Sequence, residues 1–67
     1  MRRFIVTVRA LTSSKKEERA TYKIRTGGGP VEAKRMAIGE FFAYELAHKN
    51  RYMKLEKIDI REVENDS

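Results

Sequence analysis

The amino-acid sequence predicts a single small α+β domain with the order strand, strand, helix, strand (ββαβ). In it a three-stranded antiparallel sheet, order 2-1-3, carries one helix packed on one face. Three observations predict it. Apolar and polar residues alternate over residues 2–11 and 20–26, apolar residues recur at helical spacing over 31–49, and alternation returns over 57–63. Period two marks a half-buried strand, and a period near 3.6 marks an amphipathic helix. Sixty-seven residues hold one core, expected over residues 1–64, with 65–67 as a frayed tail.

In RRFIVTVRAL, residues 2–11, Phe4, Val6, Val8 and Ala10 share one face, while Arg3, Ile5, Thr7 and Arg9 share the other. As the most apolar strand it takes the centre of the sheet. The polar segment TSSKKEER, residues 12–19, reads as the tip of a long hairpin. In ATYKIRT, residues 20–26, Ala20, Tyr22 and Ile24 turn inward and Thr21, Lys23 and Arg25 outward. A right-handed crossover then brings the last strand beside the first.

The joint GGGP raises the question of a phosphate loop, because backbone donors at a helix start converge on anions. A nucleotide-binding loop also needs a lysine and a hydroxyl at fixed spacing after its last glycine. GGGPVEAKR lacks that spacing, with no glycine followed by Lys and Ser or Thr, and Pro30 removes one donor. The stretch therefore reads as a flexible strand-to-helix joint, whose flanking Arg25, Lys34 and Arg35 are candidates for touching a backbone phosphate. Pro30 suits the first helical position, and Glu32 the positive end of the helix dipole. At the other end Asn50 suits a left-handed cap, with His48, Lys49 and Arg51 beside the negative end.

On the helix, Ala33, Ala37, Phe41, Tyr44 and His48 form one stripe, and Ile38, Phe42 and Leu46 form another about 100° away. One three-stranded sheet covers one stripe. The second is either covered by Met53 and Leu55 or left as a contact for a second copy or another protein. In YMKLEKIDIREVE, Met53 and Leu55 are odd-numbered whereas Ile58 and Ile60 are even. A flat strand cannot bury all four, so a connector is expected through Glu56 and a third strand from Lys57 to Val63.

Lysine and arginine number 15 against 10 aspartate and glutamate, a net charge of +5 with a pI near 9.8. That balance favours a polyanionic partner, nucleic acid ahead of an anionic membrane surface. No run approaches the roughly 20 apolar residues a membrane span requires, and the run after Arg2 and Arg3 is too short for a signal peptide, so the expected address is the cytoplasm. Cysteine is absent and His48 is the single histidine, which leaves no metal site. The carboxylates sit in charged, solvated surroundings, and Ser13 and Ser14 have no base nearby in sequence. No cofactor is implied and no enzyme is visible.

The expected binding face is the side of the sheet away from the helix. Alternation places Arg3, Arg9, Lys23, Arg25, Lys57 and Arg61 there, with Asp59 and Glu62 interrupting only in part. Small antiparallel sheets commonly show water a charged face; the high pI tips this one toward tracking phosphates. Aromatic residues are missing from that face, which disfavours base stacking of the RNA-recognition kind. The readings are a small, basic, non-enzymatic nucleic-acid-binding protein, RNA ahead of DNA, or alternatively a protein-interaction module or homodimer using Ile38, Phe42 and Leu46.

The ββαβ order, the short basic chain and the ending LAHKNRYMKLEKIDIREVE resemble the archaeal ribosomal protein LX family. The matching residues are Ala47, His48, Lys49, Asn50 and Arg51, then Lys57, Ile58, Ile60 and Val63. The likeness covers about the last third of the chain. It implies binding to ribosomal RNA through the basic cluster at the helix end, and assembly into the large ribosomal subunit.

Overall fold

Residues Ile5 to Val8 carry four consecutive β-branched side chains, which are stiff about χ1 and pack well on a pleated surface. They form the middle of β1 (Arg2–Leu11) in the computed structural model, which describes residues 1–49 and 53–63. β2 (Glu17–Thr26) and β3 (Lys54–Val63) pair antiparallel on either side of β1, giving the order β2-β1-β3. α1 (Pro30–Lys49) lies across one face. This is the expected small α+β architecture.

Phe4, Val6, Val8 and Ala10 of β1 and Ile24 of β2 meet Ala33, Ala37 and Phe41 of α1 in one core. Ala33 and Ala37 have no accessible surface, and their small size lets the helix approach the sheet closely. The buried row continues to Glu45, which is 3 % exposed, with Lys49 Nζ at 3.8 Å. Positions four apart turn about 40° per step around a helix, and this row follows the twist of the sheet beneath it. The expected stripe is corrected accordingly: Tyr44 is 52 % exposed and His48 is also exposed, because by that point the contact line has moved round to Glu45.

The hairpin is tighter than the sequence implied. Its loop is Thr12–Lys16, and residues 17–19 belong to β2. Thr12 N–H donates to Lys16 O at 2.9 Å and Lys15 N–H to Thr12 O at 2.8 Å, while Thr12 Oγ1 accepts from Lys16 N–H at 3.0 Å. Lys15 adopts φ 64°, the left-handed conformation that closes such loops.

The third strand is corrected too. It starts at Lys54, and no connector intervenes through Glu56. Arg9 faces Lys57 but Ala10 faces Leu55, so Glu56 is the extra residue of a β-bulge. The bulge absorbs the phase change, returning Leu55 to the helix side with Ile58 and Ile60. Glu62 is also on the helix side, opposite Phe4, and not on the open face as expected, because it shares the parity of Ile58 and Ile60.

At the joint, Thr26 Oγ1 accepts from Gly28 N–H at 3.0 Å, and Gly29 has φ 87°. Gly29 O accepts from Ala33 N–H at 3.1 Å, the first helical bond past Pro30. The expected cap at Asn50 and the expected tail at 65–67 lie outside the described residues.

Candidate nucleic-acid interface

The face turned away from α1 is built by the odd-numbered residues of β1 and β2 and, past the bulge, of β3. From the glycine-joint end, its rows across β2, β1 and β3 are Arg25, Arg3 and Val63, then Lys23, Ile5 and Arg61. Next come Thr21, Thr7 and Asp59, and then Arg19, Arg9 and Lys57. The threonine hydroxyls of the third row lie 3.2 Å apart, and this row divides the face into two halves of different electrostatics.

In the hairpin half the charges are balanced. Arg9 Nε lies 3.9 Å from Glu17 and its Nη2 4.0 Å from Glu56 at the bulge, so this cation is held between carboxylates from both neighbouring strands. Arg19 stands 3.5 Å from Glu17, and Lys57 3.6 Å from Asp59. In the other half, Arg3, Lys23, Arg25 and Arg61 are all exposed. Among the described residues no carboxylate comes within 4.0 Å of any of the four.

Arg3 and Arg25 are direct cross-strand partners. Like charges so placed destabilise a sheet by roughly 0.2–1 kcal/mol, a penalty that a bound anion removes. Lys23 and Arg61 flank Ile5 from opposite sides, about 10 Å apart at two strand spacings. Arg3, Lys23 and Arg25 border a shallow depression of about 410 Å³ over Ile5 and Val63. Its floor is apolar and its rim cationic, an arrangement suited to an oxyanion carried on a larger molecule.

The structure does not bring the remaining expected contacts to this place. Lys34 and Arg35 lie in the first turns of α1, beyond the sheet from the quartet. His48 and Lys49 are at the opposite end of the helix, where the imidazole stacks on Tyr44 with ring centroids 4.7 Å apart and Lys49 Nζ lies 5.9 Å from the same ring. Arg51 is outside the described residues. Of the interface residues, Ile38 and Phe42 are half-buried while Leu46 is 44 % exposed. Met53 packs half-buried against the core, but Leu55 remains 39 % exposed, so the stripe is covered in part.

Two cations of the open face escaped the sequence reading: Arg19, placed in a loop, and Lys54, placed in a connector. Alternation could not reveal them, since their neighbours are charged on both sides. Arg2 plays a different part. Its Nε and Nη2 each donate to a Glu62 oxygen at 2.7 Å, and its guanidinium lies 5.3 Å from the centre of the Phe4 ring. The fork of hydrogen bonds to Arg2 holds the Glu62 carboxyl below the ordinary carboxylate range, with the arginine's charge adding to it. Burial raises the Tyr22 phenol, and the carboxylates of Glu40 and Glu45 push it further.

Among the described residues there is no group of three or more histidine, aspartate and glutamate side chains placed to hold a metal ion, and no helix is long and apolar enough to cross a membrane. No family model, no curated protein and no solved structure matches the chain.

Proposed function

We propose that this chain is a non-enzymatic nucleic-acid-binding protein of the cytoplasm that holds phosphates on the open face of its sheet. The observation that carries this reading is the quartet Arg3, Lys23, Arg25 and Arg61, gathered with no carboxylate within 4.0 Å among the described residues, on a face where Arg9, Arg19 and Lys57 each have at least one. A solvated sheet face with no ligand gains stability by interleaving its signs, as the hairpin half does. Holding four cations together lowers stability and raises affinity for a phosphate backbone, because each contact releases counterions.

The quartet surrounds aliphatic Ile5, and the sheet's described aromatic residues, Phe4 and Tyr22, lie on the helix side. Contacts would therefore go to phosphate and sugar, with little discrimination among bases. The likeness of the last third to the archaeal ribosomal protein LX family supports RNA over DNA, and makes His48 and Lys49, at the far end of the helix, a second contact region together with Arg51.

Retention of structured RNA and of duplex DNA at low and moderate salt tests the proposal. Neutralising Arg3, Lys23, Arg25 and Arg61 together is expected to abolish salt-sensitive retention, and neutralising Lys49 and Arg51 to reduce it less. Equally feeble retention at both salt concentrations, or retention indifferent to loss of the quartet, refutes it.

A further inference from the structure

We propose that two copies of this chain associate through β3, antiparallel and centred on Ile60, to form one six-stranded sheet. β3 is the outer strand that the helix leaves least covered. Ile58 and Ile60 lie opposite the fully buried Val8 and Val6, yet no residue of β3 is itself buried. On the opposite edge the helix already buries Ile24 and Thr26 of β2. The helix flank toward β2 carries Glu40, Tyr44 and His48 beside Tyr22. Ile38, Phe42 and Leu46 each stand two residues before one of these, about 160° round the helix, and therefore flank β3. Partly covered apolar surface thus collects along one edge, on helix and strand together.

That edge is also open to pairing. Past the bulge, Lys57–Val63 is a regular run of seven residues without proline, and its outer backbone groups have no strand beside them among the described residues. Its charges select the partner. The open-face side chains alternate in sign, Lys57, Asp59 and Arg61. Pairing two copies about Ile60 uses the whole run, sets Ile60 against Ile60, and places Asp59 of each copy opposite Arg61 of the other. Pairing about Asp59 would set aspartate against aspartate and Lys57 against Arg61. Pairing about Ile58 would run into the bulge. Registers centred between residues would send the two helices to opposite sides of the sheet and leave the apolar edges apart.

The need for a partner follows from size. With no cysteine, and with three alanines among the eight buried apolar side chains of the described residues, this core is of the kind that small domains supplement by oligomerising. On the combined open face the two-fold axis sets the two quartets on a diagonal across the seam, where Arg61 of each copy faces Asp59 of the other; Arg3, Lys23 and Arg25 of each copy keep their charge for phosphate, with the two Lys23 residues about 24 Å apart across five strand spacings.

Sedimentation equilibrium of the full chain tests this without any nucleic acid, and so independently of the binding reading. A dimer is expected. Asp59→Arg and Arg61→Asp should each weaken it by about tenfold or more, since the two-fold axis creates two like-charge pairs, and the double variant should restore it. In a chain free of cysteine, Ile60→Cys should form a covalent dimer on mild oxidation, because paired Cα atoms about 4.5–5.5 Å apart suit a disulfide. Thr21→Cys, on the other edge, should not. A parent chain monomeric at every concentration, or a dimer that ignores both charge reversals and gives no Ile60→Cys cross-link, overturns the proposal.

Discussion

Replacing Arg25 with glutamine sets binding against stability, which move in opposite directions if the quartet exists to hold phosphate. A contact to a duplex phosphate changes the slope of log affinity against log salt by about 0.9, so four contacts give a slope of about −3.6 and three about −2.7. The same relation makes one lost contact worth about eightfold in affinity near 0.1 M salt. The fold gains, because Arg25 and Arg3 face each other across β1 and β2 with no carboxylate near either among the described residues. Relief of a directly opposed like-charge pair is worth roughly 0.2–1 kcal/mol, and the exposure of both side chains places it at the lower end. At about 4–8 °C per kcal/mol for a domain of this size, Tm should rise by about 1–3 °C. Fluorescence anisotropy with a labelled RNA hairpin across a salt series, beside thermal melts followed by circular dichroism, reads both quantities. A lowered Tm with an unchanged salt slope would make Arg25 a structural residue and refute the reasoning.

Three further outcomes follow from the fold. Lys15→Gly should stabilise the chain by about 1 kcal/mol, since φ 64° strains a side chain and costs glycine nothing; a lower Tm would contradict the turn geometry. Ala37→Leu should lower the urea midpoint by the equivalent of about 1–3 kcal/mol, because its position has no accessible surface between helix and sheet; an unchanged midpoint would mean that the helix is not seated there. Glu62→Gln should matter most at neutral pH. The Glu62 pKa is lowered in the folded chain, so its ion pair with Arg2 contributes above the ordinary carboxylate range, and the contribution fades as pH falls through the folded value. The difference in denaturation midpoint between parent and variant should therefore narrow toward acid, and a difference independent of pH would count against the ion pair.

Two departures from the sequence reading, the reach of β2 and the start of β3, share one cause, which is that strand pairing acts between residues far apart in the chain. Glu17 to Arg19 are charged on both faces and show no contrast in hydropathy, yet they are extended because β1 continues to Leu11 and offers them partners. The break of phase between Leu55 and Ile58 was visible, but a gap and a bulge leave the same mark on a sequence. Only hydrogen bonding to Arg9 and Ala10 distinguishes them. The sidedness of Glu62 was legible, for it shares the parity of Ile58 and Ile60, and its charge obscured that. Tyr44 had the spacing of a core residue and lost the place to Glu45, because the sheet twists beneath the helix.

By itself the sequence determined the number and order of the elements, the central strand, and the facing of β1 and of residues 20–26, since each depends on periodicity along a few neighbouring residues. The tertiary structure decided which of the outward cations keep their charge unopposed. Arg9 is held by Glu17 and Glu56 from two different strands, whereas among the described residues no carboxylate comes within 4.0 Å of Arg3, Lys23, Arg25 or Arg61. Neutralisation requires atoms within a few ångströms, and for a cation in mid-sheet those atoms belong to other strands, brought near by register and by one bulge.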